Sequence, residues 1–555
     1  MHKILKKTIK YTACGIGVLL LAIILFVSIL YFSADMLTPD YTPKANGELV
    51  QTDSLREYAG NYLRQSNSGL WELKVSGDAF QRGEAIGKLS SDLLYYQEKV
   101  FVDQIREIVP SDNYLKFLRF FIVLFNRNLG ENVPEEFRDE IYGISLSCTH
   151  EYDFIGTPYE RQLNYHSAHD LGHAMQDYML VGCSSFATWG ENSADSSLII
   201  GRNFDFYMGD KFAHNKLVSF YQPEQGYKFA SVGWPGMIGV LSGMNETGLT
   251  VTINAAKSDM PTASATPISI LTREILQYAS TIDEAYAIAL KRKTFVSESI
   301  LIGSAQDGRA AIIEKSPEKT ALFTSSGNQI ICTNHYQSDT FRNDECNQEN
   351  IATSDSPYRF ARLQELLKEN KPIDPMKAAS ILRNQKGLDN IDLGMGNEMA
   401  INQLIAHHSV IFLPEKQIMY VSTSPWQCGK YMAYDLNKIF SDAVDFHHEI
   451  ATLNLTIPED NFIRQANYKQ FMAYKQLTKL IREKTQRKET IETKVLNLYE
   501  ASNPSLYYVY EVLGDYYAAI QQTGTAIIYW QKALTMPIPK QAEKVRIQQK
   551  INKNQ

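Results

Sequence analysis

The sequence predicts an α+β fold in which short, mostly antiparallel strands are layered with helices. Between residues 183 and 330, β-rich runs such as SLIIGRNF, KLVSFYQ and LTVTINA are separated by Gly, Asn, Asp and Pro turns. Helical segments interrupt these runs at residues 268–279 and 282–292, and strands return near residues 409–413 and 417–422. A regular strand–helix–strand alternation is missing, which argues against a parallel sheet.

The length and composition set the class of protein. A chain of 555 residues is too long for one ordinary core, so we expect two or three domains. Apolar residues make up 44% and charged residues 21%, which excludes a disordered or fibrous protein. The net charge is −7 and basic residues cluster only at the extreme N-terminus, so nucleic acid is not expected as a partner.

The N-terminus has the pattern of a membrane anchor. Four lysines, at positions 3, 6, 7 and 10, precede an uncharged stretch over residues 11–33, which Asp35 ends. The stretch is long enough to cross a hydrocarbon core of roughly 30 Å as a helix. Because lysines favour the cytoplasmic side, we expect the bulk of the chain on the periplasmic or extracellular side. A cleaved signal peptide is the alternative, but no small-x-small site precedes Asp35.

The rest of the chain divides into four parts. Residues 35–69 are predicted to form a linker, residues 70–182 a mainly helical segment, residues 183–445 a catalytic domain and residues 446–555 a helical extension. Residues 510–539 match one tetratricopeptide unit, with Gly514, Ala526 and Ala533 at its characteristic positions. One unit does not stack stably alone, so it must pack on a neighbour. It forms either a hairpin capping the catalytic domain or a surface for a protein partner.

The most informative stretch is VGCSSFATWGENSADSSLIIGRNFDF, residues 181–206. A buried cysteine is usually inert, so Cys183 alone would carry little weight. Gly182 precedes it, and the absence of a side chain there permits the cysteine sulfur to approach its own upstream carbonyl. After cleavage by an N-to-S acyl shift, Cys183 would carry a free α-amino group with a reference pKa of roughly 8. Nucleophile and base would then belong to one residue.

Cys-Ser-Ser-Phe followed by Gly-Arg-Asn-Phe-Asp resembles the isopenicillin N acyltransferase-like group of autoproteolytic cysteine N-terminal-nucleophile (Ntn) hydrolases, which is related to bile-salt (choloylglycine) hydrolases, penicillin V acylases and acid ceramidase. The resemblance covers roughly residues 70–435 and includes VSGDAFQRGEAIGKL and EEFRDEIYGIS upstream of the cysteine. It implies a four-layer αββα sandwich and cleavage between Gly182 and Cys183. It also implies that a pro-segment ends at Gly182.

The resemblance assigns roles to further residues. Arg202 and Asp205 match the Arg-x-x-Asp pair beside the nucleophile, where the aspartate holds the α-amino group and the arginine favours thiolate. GMNETGLTVTINA and CTNHY resemble the motifs that supply two oxyanion donors, here Asn254 and Asn334, whereas Asn245 is expected to be a turn residue. SPYRFARL resembles the helix that carries a distal active-site arginine. Arg359 is expected in that role, and Arg362 is the alternative one turn away.

Histidines and the remaining cysteines leave other chemistry open. His166, His169 and His173 share one helical face and could bind zinc, but nearby Asp170 and Asp177 make a solvated polar helix equally plausible. His335 is adjacent to Asn334 and is a candidate for the pocket wall. The pair His407-His408 precedes an apolar strand without nucleophile–base spacing. One or two disulfides among Cys148, Cys332, Cys346 and Cys428 are compatible with an oxidising compartment.

The predicted function is hydrolysis or acyl transfer at the linear C–N bond of a small-molecule or lipid N-acyl amide, through a Cys183 acyl-thioester. No cofactor and no metal are expected. The gap between Cys183 and Arg202 is longer than in bile-salt hydrolases, and the anchor and helical extension have no counterpart in penicillin-processing enzymes, so that substrate is not transferred. Two alternatives stay open: a catalytically inactive membrane-anchored scaffold whose helical tail binds an envelope partner, and a conventional cysteine or zinc hydrolase built on the His166–His173 face.

Overall fold

Two β-sheets pack face to face in the computed structural model of the protein. The structure describes the chain except residues 1, 33, 35, 37, 42–46, 53, 109–110, 175–180, 258–260, 262 and 442–443. The first sheet has eleven strands, in the order β1-β2-β3-β4-β7-β8-β9-β10-β11-β12-β13. Strands β4 and β7 are parallel, and every other neighbouring pair in this sheet is antiparallel. The strands are β1 Val50–Gln51, β2 Leu55–Tyr58, β3 Asn61–Gln65, β4 Trp71–Gly77, β7 Leu217–Pro223, β8 Phe229–Gly233, β9 Ser242–Asn245, β10 Leu249–Ala255, β11 Glu298–Ser304, β12 Arg309–Lys315 and β13 Thr320–Thr324.

The second sheet has six antiparallel strands in the order β14-β5-β6-β15-β16-β17. They are β5 Val181–Gly190, β6 Ser196–Phe206, β14 Gln329–Cys332, β15 His408–Leu413, β16 Ile418–Ser422 and β17 Tyr431–Asp435. Inner-face residues of both sheets, such as Ile200 and Val218, form one buried core. The α+β prediction is therefore confirmed.

Helices cover the outer face of each sheet. The first sheet packs against α2 Ala79–Leu89, α3 Ser91–Ile108, α4 Asp112–Phe125, α5 Leu129–Asn132, α6 Glu135–Ser145, α7 Pro158–Ala174, α8 Ile268–Tyr278 and α9 Ile282–Lys291. The second packs mainly against α11 Ser356–Asn370 and α12 Pro375–Leu382, while α10 Glu345–Thr353 and α13 Leu436–Ile439 lie nearby in the chain. The 3₁₀ turns are Asp153–Ile155, Asp339–Phe341, Leu388–Asn390, Pro414–Lys416, Leu453–Leu455 and Asn461–Arg464. These layers form the αββα sandwich that the resemblance implied.

Each of the two sequence motifs upstream of the cysteine contains a glycine, Gly83 or Gly143, that allows two helices to pack closely. Helices α2 and α6 cross so closely that a Cβ on Gly83 would lie 2.0 Å from the Glu140 carbonyl oxygen. A Cβ on Gly143 would lie 2.7 Å from the Phe80 carbonyl oxygen. Side chains at these positions would push α2 and α6 apart and disturb the helical layer on the outer face of the first sheet.

The segment before the cysteine contributes to the sheet. Residues 50–65, which the sequence indicated as part of a linker, form β1–β3, and β4 follows inside the segment predicted to be mainly helical. In β3 the side chain of Leu63 is fully buried. Strands of two to five residues with mixed polarity lack the long alternating pattern on which strand prediction depends. Residues on both sides of Gly182 therefore build the first sheet.

The N-terminal helix α1, His2–Phe32, contains an apolar window at Cys14–Tyr31 that is long enough to cross a membrane and is not buried. At its end Tyr31 stacks on Phe120 of α4 with ring centroids 5.2 Å apart. Cys148, Cys332 and Cys428 each have a free thiol in the structure. A disulfide among these three, which the sequence left open, is therefore not formed.

Five helices end the chain: α14 Ala466–Arg487, α15 Thr493–Ser502, α16 Tyr507–Ala519, α17 Thr523–Leu534 and α18 Gln541–Asn554. The α16–α17 hairpin lies where the tetratricopeptide pattern was found. Gly514 lies under Trp530, and a Cβ there would be 2.4 Å from the indole ring. The core of these helices includes Leu404 and Cys428, so the helices pack on the part of the chain that precedes them. That the hairpin is a tetratricopeptide unit stays a prediction.

Candidate active site

Cys183 lies near the start of β5, paired with β6 at the centre of the second sheet. In this pairing Gly182 is opposite Asp205, Cys183 is opposite Phe204, and Ser185 is opposite Arg202. Because side chains alternate along a strand, Cys183, Ser185 and Arg202 share the face that looks toward the first sheet. The cysteine is only 1% exposed. The strand register alone brings together three of the predicted site residues, Cys183, Arg202 and Asp205.

Arg202 is the nearest charged group to the thiol. Its Nη2 lies 3.7 Å from Cys183 Sγ and donates to the carbonyl oxygen of Ile253 at 2.5 Å. Its Nη1 donates to Ser242 Oγ at 2.5 Å and lies 3.2 Å from His408 Nε2. Ser242 and His408 therefore orient the guanidinium toward the sulfur. Neither was singled out from the sequence for this role, because the contact joins strands far apart in the chain.

Asn334 and Arg359 contact the main chain of the cysteine. The Cys183 amide donates to Asn334 Oδ1 at 3.0 Å, and Arg359 Nη1 donates to the Cys183 carbonyl oxygen at 2.6 Å. Arg359 Nη2 also donates to Asn334 Oδ1 at 2.7 Å. Its Nε donates to Asp355 at 2.6 Å, a partner one helical turn earlier that sequence analysis missed.

Arg362, the alternative arginine, lies elsewhere. It pairs with Glu365 and donates to the side chains of Asn384 and Asn390. No contact with Cys183 is found for it within the described part of the chain. The i, i+3 spacing directs the two arginines to different neighbours, and only Arg359 reaches the cysteine.

Asn254 approaches the site from the inner face of the first sheet. Its Oδ1 accepts a hydrogen bond from Ser185 Oγ at 2.8 Å, and its Nδ2 donates to the carbonyl oxygen of Cys332 at 2.9 Å. Asn334 Nδ2 donates to the neighbouring Ala255 carbonyl at 2.8 Å. Since an amide carries two N–H donors, each asparagine retains one beyond these bonds. Asn245, in contrast, satisfies the β9–β10 turn by accepting from the amides of Thr247 and Leu249.

Asp205 is fully buried, and neither of its carboxylate oxygens has a hydrogen-bond partner within the described residues. Burial raises the pKa of this carboxyl to about 7, against the opposing charges of Arg359 and Arg202. An unpaired buried carboxylate is costly unless a cation is supplied. Its strand partner is Gly182, so the space beside the Gly182–Cys183 bond favours a positive charge.

The thiol is not activated in the intact chain. Burial raises the pKa of Cys183, and the positive charge of Arg202 only partly offsets this, while Asp205 and Glu298 raise it further. A thiol must lose its proton to act as a nucleophile. The surroundings of Cys183 therefore favour the neutral thiol.

His166 has no ring nitrogen left for a metal. Its Nδ1 is 2.8 Å from the Gln162 carbonyl oxygen, and its Nε2 accepts from the Ile238 amide at 3.1 Å. The side chains of His169 and His173, and Asp177, lie outside the described residues. No metal-binding group of His, Cys, Asp or Glu is found among the described residues.

His335 hydrogen-bonds Ser356 Oγ at 2.8 Å, and that hydroxyl also accepts from the Asn334 amide.

Residues 190–404 match the family model of acyl-coenzyme A:6-aminopenicillanic acid acyl-transferase. Arg202, Asp205, Asn254, Asn334 and Arg359 fall inside this match, whereas Cys183 precedes its first residue. The match supports an Ntn-hydrolase-like family for this part of the chain.

Curated relatives include an uncharacterized protein of Archaeoglobus fulgidus, 24% identical over 278 residues, which make up 47% of this chain and 46% of the relative. Protein dcd1B of Dictyostelium discoideum is 23% identical over 271 residues, 45% of this chain and 51% of the relative. The chain thus spans about half the length of these relatives.

Similar solved structures include a Caenorhabditis elegans N-acylethanolamine-hydrolyzing acid amidase ortholog, at 14% identity and a TM-score of 0.32, covering 42% of this chain and 93% of that one. A mutant of the conjugated bile acid hydrolase from Clostridium perfringens has 14% identity and a TM-score of 0.31, covering 46% and 93%. Likeness at these TM-scores supports no inference about this chain's substrate.

Proposed function

We propose that the chain is a cysteine Ntn amide hydrolase or acyltransferase that cleaves itself between Gly182 and Cys183. The observation that carries the proposal is the buried, unpartnered carboxylate of Asp205 opposite Gly182. Cleavage creates an α-ammonium group on Cys183, which supplies the cation that the intact chain lacks at this point. The released amine can also keep the Asn334 Oδ1 contact that the peptide N–H makes.

Self-cleavage begins when Cys183 Sγ attacks the Gly182 carbonyl carbon. The Gly182–Cys183 C–N bond breaks, a thioester forms between Gly182 and the cysteine sulfur, and the proton lost by the thiol passes to the departing nitrogen. Water then hydrolyses the thioester, which leaves a Gly182 carboxylate and a cysteine with a free amine and thiol. Arg202 near Sγ favours the thiolate in the first step.

The mature cysteine then acts on an external N-acyl amide. The α-amino group accepts the thiol proton, the thiolate attacks the amide carbonyl, and the proton passes to the leaving amine. The free N–H groups of Asn254 and Asn334 stabilise the tetrahedral oxyanion, and one such donor contributes roughly 3 kcal/mol. Water or a second amine resolves the acyl-thioester, which makes hydrolysis and acyl transfer differ only in the acceptor.

The N-terminal helix supports a membrane-anchored enzyme with its bulk on the extracytoplasmic side. Beyond the exposed apolar window of α1, the adjacent helix α4 exposes about half of the side-chain surface of each of Tyr114, Phe117 and Phe121. Such a surface next to the anchor suits a lipid N-acyl amide as substrate. Protease digestion of sealed vesicles tests the orientation: the proposal expects the catalytic domain to be digested only from the extracytoplasmic face.

The proposed activity is tested by measuring product formation from a panel of N-acyl amino acids and acylated amines. Cys183→Ala should abolish product formation and Asn334→Ala should lower its rate by about 10²–10³. Cys428→Ala, which changes a buried cysteine in the core of the C-terminal helices, should retain it. An active Cys183→Ala variant would refute the proposal. A wild-type chain that cleaves none of these amides but captures an envelope partner through its tail would favour the inactive scaffold.

A further inference from the structure

The C-terminal helices reach the proposed cleavage site through one loop. The match with the acyltransferase family ends at residue 404, and the helices after residue 465 lie outside it. Between α12 and β15 the chain forms a loop over residues 393–404, which we call the cover loop. Gln403 of the cover loop lies against Gly182, and Met395, Asn397 and Glu398 contact the segments that connect the C-terminal helices.

Gln403 is the cover-loop residue at the cleavage site. A Cβ built on Gly182 would lie 2.7 Å from Gln403 Nε2 and 3.2 Å from its Oε1, so the amide lies directly against the glycine. Gln403 is buried, and its Nε2 donates to the Glu398 carbonyl oxygen at 3.2 Å. The position of Glu398 therefore fixes where the Gln403 amide meets Gly182.

Lys540, immediately before α18, holds Glu398. Its Nζ lies 2.8 Å from a Glu398 carboxylate oxygen. Burial lowers the pKa of Lys540, but the charges of Glu398 and Asp355 outweigh this and raise it overall. Asp355 accepts a hydrogen bond from Arg359 Nε. The charge of Lys540 therefore acts on two acids beside the cleavage site, Glu398 and Asp355.

Other hydrogen bonds fasten the cover loop to the same helices. The Met395 amide donates to Asn503 Oδ1 at 2.9 Å, and Asn503 Nδ2 returns a bond to the Met395 carbonyl at 2.8 Å. Asn397 Nδ2 donates to the carbonyl oxygen of Pro537 at 3.2 Å. A reciprocal side-chain bond of this kind holds the loop in one position relative to the helices.

We propose that the C-terminal helices form part of the cleavage site, with Lys540 as a positioning residue that acts through Glu398 and Gln403 on the Gly182–Cys183 bond. The inference rests on the proposed self-cleavage and adds the element that aligns the scissile bond. Misplacement of reacting atoms by about 1 Å can cost about a hundredfold in rate.

The test is the rate of appearance of a fragment beginning at Cys183, followed by intact mass in the full chain. Lys540→Met, Glu398→Gln and Gln403→Ala should each slow cleavage by at least about tenfold. Lys540→Arg should restore most of the rate because it keeps the charge. Lys532→Met is the matched control, since it removes another lysine–glutamate pair of these helices, with Glu500 at 2.8 Å. Thermal melting of every variant monitors folding.

Folded Lys540→Met and Gln403→Ala variants that cleave at the wild-type rate would overturn the inference and leave the proposed function standing. Slow cleavage by Lys540→Arg as well, with unchanged melting, would show that the charge does not act and would also overturn it. An uncut wild-type chain would refute self-cleavage itself and this inference with it.

Discussion

Asp205 and Gly182 face each other across β5 and β6, and the carboxylate of Asp205 has no hydrogen-bond partner within the described residues. Other buried charges in the chain are paired: Arg82, Arg161 and Arg273 each have a carboxylate partner. The unpaired acid lies beside the Gly182–Cys183 peptide bond. A chain that stayed intact would gain nothing from it. A chain cut after Gly182 would pair it with the new α-ammonium group.

The first prediction concerns stability and pH in the uncut chain. Asp205 has its pKa raised from 3.8 to about 7 on folding, so between these values the folded state holds a proton that the unfolded state has released. The contribution of Asp205 to stability should therefore fall as pH rises from about 4 to about 7, by on the order of 1–4 kcal/mol. Burial also raises the pKa values of Glu72 and Asp170, so this contribution is measured as the difference between two variants. Denaturant unfolding of Cys183→Ala with and without Asp205→Asn across this range gives the two slopes, and equal slopes would contradict the pKa shift of Asp205.

The two arginines of α11 provide a matched pair. Arg359→Gln removes the bonds to the Cys183 carbonyl and to Asn334, so we expect self-cleavage and turnover to fall by about a hundredfold or more. Arg362→Gln breaks bonds to Glu365, Asn384 and Asn390 instead, and should lower the melting temperature without changing turnover per folded molecule. Equal activity loss in both variants would argue against a specific role for Arg359.

Substitution of the three asparagines should distinguish the two proposed oxyanion donors, Asn254 and Asn334, from the turn residue Asn245. Removing an oxyanion donor costs about 10²–10³ in rate, so Asn334→Ala and Asn254→Ala should each lose that much kcat with a smaller change in KM. Asn245→Ala should cost stability only, because its side chain satisfies a turn. Kinetics on chains already shown to be cut isolates turnover from self-cleavage. Full activity in Asn254→Ala would exclude that residue as an oxyanion donor.

The fragments should remain together after cleavage. Strand β4, before the cut, pairs with β7, after it, over seven residues, and Glu140 of α6 binds both Arg82 at 2.8 Å and Arg273 at 3.2 Å in a fully buried cluster. Fragments 1–182 and 183–555 should therefore co-elute in size-exclusion chromatography without denaturant.

Glu140→Gln should weaken this association by about 3–5 kcal/mol, since it leaves two buried arginines short of a partner. Asp103→Asn, which removes an exposed pair with Lys99 inside the first fragment, should leave the association unchanged. Separation of wild-type fragments under native conditions would contradict the expectation.

Much of the fold followed from local pattern. The turn-separated runs after residue 183, the helices α8 and α9, and the apolar N-terminal helix all have strong periodicity or composition. Helix α11 was expected only from the family resemblance. Strands β1–β3 did not emerge because their short, mixed-polarity segments are stabilised by neighbours in the sheet rather than by their own pattern. The parallel pairing of β4 with β7 joins segments about 145 residues apart, a separation beyond the reach of any local pattern.

The residues of the candidate site also divide into those found through local motifs and those that only tertiary packing reveals. Cys183, Arg202, Asp205, Asn254, Asn334 and Arg359 were identified because each lies in a short motif, and the structure brings them together, although their chemical roles stay predictions. Asp355 was detectable in principle, as an acid four residues before Arg359. Ser242, Gln403 and Lys540 carry no local signal, because only tertiary packing brings them to their partners. These partners are Arg202, Gly182 and Glu398, respectively.

The central claim is that Cys183 becomes an N-terminal residue. Intact mass and N-terminal sequencing of the purified wild-type chain, beside Cys183→Ala, measure this directly. The account predicts a fragment that begins Cys-Ser-Ser-Phe in the wild type and its absence in the variant. A wild-type chain that stays whole under conditions where it turns over an N-acyl amide, or a Cys183→Ala chain cut at the same bond, would contradict it.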